Sequence, residues 1–377
     1  MRSVLELVRR PLYFFSFFLM PLFIFLFLSN MMEDGLPVKV PAAIVDKDGS
    51  SLSREISQTL ATMQMIDCVA TPESYTEARH MMQEGKIFGY FLIPDNYEAD
   101  LLAGRAPEIS FYTNMTYYVP ASLLFKTFKA TAIYTKAGIA VNIINSAGVN
   151  DNPSPLLMPV NINARGIGNP ELNYAIYLCN SFLPCVLQLM IMLVTCFSLG
   201  QEIKYGTSVR LMQLARGNIY RAIAAKLLPQ TIVWMVMAIF MESWLFGWMH
   251  FPMHGSWLWM TLSELMFVLA CQGMAVFFFG LLPNLRLSLS VSALLGILSF
   301  SIAAFSFPAQ SMYPAIGIFS WLMPIRYNFL IYGDIALNGL SIYYSRIWFV
   351  AYIIYMLLPL TVLWRIRRHM LKPVYAP

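Results

Sequence analysis

Residues 174–199 contain no Asp, Glu, Lys or Arg. In water such a stretch would need burial on every side. In a bilayer it has the length of a spanning helix, which takes about 20 apolar residues. Comparable apolar runs recur at 12–29, 223–248, 262–282, 287–307 and 347–364. The composition agrees, with 58% of residues hydrophobic and 12% charged, against about 25% charged in a soluble domain. A disordered chain and an ordinary soluble enzyme are both excluded. What remains is a polytopic membrane protein of six helical spans.

The first run follows Arg2, Arg9 and Arg10, as a signal peptide would. It is too long for a typical signal core, and Ser29-Asn30-Met31-Met32-Glu33 offers no small-residue cleavage site, so an uncleaved anchor is expected. Residues 308–340 are also apolar but are interrupted by Pro308, Pro314, Pro324, Gly333 and Gly339 and carry Arg326 and Asp334. That segment reads as two short helices dipping into or lying on the membrane, with the chain reversing between Arg326 and Asp334. Such backbone is tolerated at depth only where protein or water covers it.

Lysine and arginine set the expected orientation. With the N-terminus in the cytoplasm, the cytoplasmic segments collect thirteen basic residues and only Glu6 and Glu202 as acids, whereas residues 32–172 hold ten basic and fifteen acidic ones. The N-terminus, the 200–226 loop, Arg286 and the tail all agree, so both termini are expected in the cytoplasm and 32–173 outside.

Within that outer segment, strand-like and helix-like patterns alternate. Residues 38–45 read as a strand closed by the turn Asp46-Lys-Asp-Gly49. A helix at 51–63 is expected with Ser50 or Ser51 as its cap. Strands at 65–70, 87–93 and 109–112 alternate with helices at 71–83, opened by Thr71-Pro72-Glu73, and at 94–103. A long helix is expected over 116–146. This is a small α/β domain inserted between the first and second spans, and it either caps the protein or serves as a docking or gating unit. Cys68 is its one cysteine, so it forms no internal disulfide.

Catalytic signatures are missing. The sequence has no G-x-x-x-x-G-K-[ST], so it carries no Walker A loop of its own, and it has no G-x-S-x-G, H-E-x-x-H or kinase motif. Asp46 and Asp48 resemble half a calcium loop but read better as a turn. His250 and His254 stand four apart without a third ligand, and no metal site is expected. Charged residues inside spans are functional candidates by default. Glu242 and Glu264 are expected near the outer ends of their spans, reaching the interface or forming the polar rim of a path. Gln188, Thr195 and Gln272 lie deeper and are expected to bond between helices. The 200–226 loop reads as a short amphipathic helix bounded by Gly206 and Gly217, with Leu211 and Leu214 on one face. Such a helix lies on anionic lipid or fits a groove on a cytoplasmic partner. Glu202 is expected to lead it, where the helix dipole favours an acid, free to meet a basic residue of a partner.

Three stretches resemble a known family. Glu202-x-x-x-Gly206-Thr207, the leucine-rich middle of the loop and Lys226 are similar to the loop after the second span in permeases of the ABC-2 transporter family. Met323-Pro324-Ile-Arg326-Tyr327 through Asp334 to Gly339 resembles that family's re-entrant outer segment. Residues 75–102, with Gly85, Gly89-Tyr-Phe-Leu-Ile93-Pro94 and Gly104, resemble the outer domain of its exporter branch, as does Asn169-Pro170-Glu-Leu-Asn173-Tyr174.

The resemblance implies a membrane-embedded permease subunit of an ATP-driven exporter in the bacterial inner membrane, moving drugs or other amphiphiles. ATP and Mg would bind partner ATPase subunits. A second permease subunit, identical or a sister chain, would complete the pair, and a periplasmic adaptor with an outer-membrane channel would extend the path; nucleic acid plays no part. Coupling to the ATPase would fall on Glu202, Lys204, Gly206, Thr207, Arg210, Leu211 and Leu214, and the outer gate on Glu242, Glu264, Arg326 and Asp334. Two other classes stand beside this one. A non-transporting receptor or scaffold would bind a partner through the outer domain, although five further spans exceed the needs of an anchor. An ion-coupled transporter or membrane-embedded enzyme would need acids or histidines deep in its spans.

Overall fold

The computed structural model describes residues 11–32, 39–133 apart from 104, 106, 118 and 132, and 173–373 apart from 306. The chain forms two compact units, one of Met1–Gly35 with Arg165–Pro377 and one of Leu36–Ala164.

The first unit opens with the apolar helix α1 (Phe15–Met31). The second unit follows as β1 (Val40–Asp46), α2 (Ser51–Ala61), β2 (Ile66–Ala70), α3 (Tyr75–Gln83), β3 (Gly89–Ile93), α4 (Tyr97–Leu102) and β4 (Ser110–Thr113). Its sheet has the order β2-β1-β3-β4. β1 lies parallel to β2 and β3, and β4 returns antiparallel to β3. Alternation along β1 sends Val40, Ala42 and Ile44 into a core with Ile56, Leu60, Phe91 and Phe128, while Ala43 and Val45 join Ala78, Ile87 and Tyr90 on the other face. Both faces are therefore covered, as parallel strands require.

Local chemistry sets the element ends. Ser50 caps α2 by accepting from Ser53 N–H. Asp46 Oδ1 accepts from the amides of Asp48 and Gly49 at 3.0 Å, closing the turn after β1. The helix expected to open at Thr71-Pro72 instead starts at Tyr75, because Ser74 accepts from Glu77 N–H and fixes the start there. Of the long helix expected over 116–146, residues 119–131 are helical, and most of the remainder lies outside the described residues.

The first unit continues with α5 (Tyr174–Lys204), the short α6 (Ser208–Leu214), α7 (Ile219–Glu242, prolonged by a π-turn Ser243–Trp248), α8 (Trp257–Leu281) and α9 (Leu285–Ile302). A single 3₁₀ turn (Ala309–Ser311) precedes α10 (Pro314–Ser320) and α11 (Pro324–Tyr332), which runs on as a π-turn Gly333–Leu337. The last elements are α12 (Ile342–Leu357), a 3₁₀ turn Leu358–Thr361 and α13 (Leu363–Leu371). Among the described residues five helices are long and apolar enough to cross a membrane, and Phe15–Met31 is a shorter apolar helix. Several spans begin earlier than hydropathy alone suggested. Asn173, Asn218, Asn284 and Ser341 each accept amide hydrogens of the first turn and so place the starts.

α8 is the centre of the bundle, packed against α5, α7, α11 and α12. At Gly273 a β-carbon would stand 2.3 Å from the Tyr355 carbonyl oxygen, so only glycine lets α8 and α12 approach this closely. Polar side chains link the helices where no water is available. Gln188 donates to Ser299 Oγ at 2.8 Å and accepts from Ile325 N–H at 2.9 Å. Thr231 donates to Gln272 Oε1 at 2.7 Å. Thr195 Oγ1 has no hydrogen-bond partner among the described residues, so of the three deep polar residues it alone does not bridge helices.

Candidate functional site

Two polar centres lie in the helical unit, one near each end of α7. The first is built on the 200–226 loop. Gly206 (φ +68°) ends α5 and Gly217 (φ +74°) ends α6, in left-handed conformations that glycine adopts without strain. Between them α6 holds its buried side against the unit. Ser208 Oγ donates to the Met370 carbonyl at 2.9 Å, and Met212 is buried. Lys204, Tyr205, Thr207, Arg210 and Leu214 are exposed.

Glu202 does not lead this short helix. It lies in the last turn of α5, where the dipole disfavours an acid, and Lys226 from α7 compensates. Lys226 Nζ lies 2.5 Å from Glu202 Oε1, with the two side chains 7% and 12% exposed. Thr207 Oγ1 donates to the other carboxylate oxygen at 2.5 Å. The pair therefore ties together the two ends of the loop that carries α6. A charge this well covered and paired is not available to a partner in this conformation, which corrects the expected free acid. Leu211 and Leu214 also part company. Leu211 packs against the bundle core, whereas Leu214 is 73% exposed and ends the free face of α6.

The second centre joins α7, α8, α11 and α12. Glu264 is the eighth residue of α8, about 10 Å along its axis, and is 1% exposed. Asn328 of α11 donates to its Oε1 at 2.7 Å. Glu242, 3% exposed, meets Thr261 Oγ1 at 3.3 Å. Thr261 and Glu264 share a face of α8, which brings the two acids into electrostatic reach of each other. Neither glutamate turns outward to a rim, because both side chains point into the unit. Tyr352 of α12 and Ser263 complete the cluster.

Arg326 and Asp334 do not pair, and the chain does not reverse between them. Gly333 is helical here, so α11 and its π-turn form one continuous rod from Pro324 to Leu337. Pro324 opens α11 as Pro314 opens α10, each in the first turn where a missing N–H costs nothing. Arg326 donates to the Ala303 carbonyl at 3.1 Å, and its guanidinium lies 4.1 Å from the centre of the Trp321 ring. Asp334 accepts from Ser345 Oγ at 3.0 Å and from Trp348 Nε1 at 3.3 Å. His250 and His254 lie in the irregular link between α7 and α8, and His254 N–H donates to the Ala336 carbonyl. Among the described residues no cluster of His, Cys, Asp or Glu could hold a metal.

Sequence spacing missed Lys226 as the partner of Glu202, Asn328 as the partner of Glu264, and Tyr352 altogether. For Lys226 there was one signal. A lysine inside an apolar run is costly unless paired, and Glu202 is the nearest acid before it in the sequence.

A bundle of apolar helices long enough to cross a bilayer, with an exposed short helix on an ion-paired loop, defines an integral membrane protein. The family model described as ABC-2 family transporter protein matches residues 11–366. The chain belongs to the ABC-2 transporter family. It is a membrane transport component rather than the ATPase, and that family works with ABC ATPase partners. No curated protein matches the chain.

Proposed function

We propose that the chain is the permease subunit of an exporter of drugs or other amphiphiles in a bacterial inner membrane. It spans six times, with α1 as the first span, both termini in the cytoplasm and the sheet unit outside. Two permease subunits form the path, and an adaptor with an outer-membrane channel continues it. The family match over 11–366 carries this reading. The basic residues in 200–226 and in the tail support the orientation.

In this scheme α6 is the piece that meets the ATPase. Its exposed face carries Arg210 and Leu214, and Lys204 and Tyr205 at the end of α5 are exposed beside it, a basic and apolar surface suited to a groove with acidic edges. The Glu202–Lys226 pair makes the loop one rigid lever, so that displacement of α6 is passed to α5 and α7 together. The segment 308–340, read as re-entrant, closes the outer end through α11.

The test is co-purification of an ATPase with the tagged chain, together with thiol labelling of intact spheroplasts. A cysteine placed on the exposed surface of the sheet unit should react with an impermeant reagent. A cysteine at Arg216 should stay unlabelled until the membrane is broken. Labelling of the Arg216 position from outside, or recovery of the chain without an ATPase, removes the reading.

A further inference from the structure

A buried acid inside a helical membrane unit ordinarily has a basic partner. Glu242 and Glu264 have none: among the described residues, no lysine, arginine or histidine pairs with either. The groups that face them are Thr261 and Ser263 from α8, Asn328 from α11, Tyr352 from α12 and, further along α8, Cys271. All of these are uncharged. Among the described residues, Glu242 Oε1 and Glu264 Oε2 are buried without a hydrogen-bond partner, and the Tyr352 hydroxyl faces Ser263 and Asn328. Two carboxyls therefore present unused oxygens in one place. Leaving both unmet is costly unless something fills them during the working cycle.

The missing group is a cation that donates hydrogen bonds. Asn328 shows how it would sit, since its N–H donates to Glu264 where an ammonium N–H would. Asn328 is carried on α11. Toward the nearer ends of α7 and α8, one turn beyond the Glu242–Thr261 contact, Phe246 packs edge-on to Trp257 at 5.5 Å and lies 6.2 Å from the Tyr332 ring. Aromatic faces beside carboxylates are the usual surroundings of an organic ammonium.

We propose that Glu242 and Glu264 form an intramembrane recognition site for the ammonium head of an amphiphilic amine, which displaces Asn328 as α11 moves. The site rests on the export reading for its role in transport, but binding at it can be measured without an ATPase. The two carboxyls hold two of the ammonium N–H groups, the Tyr352 hydroxyl accepts the third, and the apolar body lies along the Phe246 and Trp257 rings.

The experiment uses the full chain in a neutral sugar-based detergent with two probes of one apolar body, dansyl-hexylamine and its N-acetylated form. Fluorescence anisotropy should show the ammonium probe bound roughly tenfold or more tighter than the acetylated one. Glu264→Gln should bring the two to within about twofold by weakening the ammonium probe alone. Glu242→Gln should do the same to a smaller extent and serves as the readout if the first variant fails to fold. Equal binding of the two probes by the natural chain, or a charge preference that survives both substitutions, overturns the proposal and leaves the two acids as interhelical bonding groups. An ATPase that co-purifies while the probes bind equally removes only this site, whereas a charge preference without an ATPase removes only the export reading.

Discussion

Helix α7 carries a buried ionisable side chain near each end, and the two are handled in opposite ways. At its start Lys226 meets Glu202 at 2.5 Å, with Thr207 satisfying the second oxygen. Sixteen residues later, about 24 Å along the axis, Glu242 sits beside a second acid with only hydroxyls and an amide around them. The paired end is complete within the chain and serves as a fixed joint. The unpaired end lacks a cation and is the place where a passing molecule can change the energy of the protein. Burial alone does not separate a structural charge from a functional one; the presence of a counter-ion on the same chain does.

The largest effect should come from breaking the paired end. Lys226→Met leaves Glu202 covered without its cation, and losing one member of a buried pair costs about 3–5 kcal/mol. The buried Cys179, Cys185, Cys196 and Cys271 report unfolding when a thiol-reactive dye is added during heating, in a Cys68→Ala background. The melting curve should fall steeply for Lys226→Met, and Glu202→Gln added to it should recover most of the loss. A single variant that melts like the natural chain would mean that the pair is solvated and the joint is loose.

The two ends were not equally legible in the sequence. The spans could be read because long apolar runs without charge have few other uses. Their starts were misplaced wherever a polar cap or an isolated charge hid the first turn, as with Asn218 before Ile219 and Arg346 within α12. The depth of Glu264 was misjudged because the helix begins at Trp257, five residues before the apolar run was counted. The strands of the sheet unit could be read as short apolar runs between turn and helix signals, and its first turn from Asp46-Lys-Asp-Gly49. Pairing could not be read. Glu202 and Lys226 lie 24 residues apart and Glu264 and Asn328 lie 64 apart. Only the packing of α5 on α7 and of α8 on α11 brings them together. Arg326 and Asp334 misled because glycine was taken as a break, whereas Gly333 inside a π-turn keeps the rod continuous.

At the unpaired end the expected effects are smaller and partly reversed in sign. Asn328→Ala removes the one good donor to Glu264, and leaving a buried acceptor unmet costs about 1–3 kcal/mol. The same dye assay should show a clear but lesser fall than for Lys226→Met. Glu264→Gln should be close to neutral. The amide keeps an oxygen for Asn328 and no cation is left behind, because none was there. A loss for Glu264→Gln as large as for Lys226→Met would reveal a counter-charge at this end and erase the contrast between the two centres.

The smallest effect tests how Glu242 is held. Its one hydrogen bond among the described residues comes from Thr261 Oγ1 at 3.3 Å, at the long edge of a hydroxyl hydrogen bond. Thr261→Val keeps the shape and removes the hydroxyl, so the cost should be about 0.5 kcal/mol or less, below the usual value for a well-formed bond. That small loss is what a carboxyl waiting for an external cation requires, since a strong internal partner would compete with the ligand. If Thr261→Val instead melts as early as Asn328→Ala, then Glu242 is fixed by its neighbour as firmly as Glu264 is. The recognition site would then reduce to Glu264 alone.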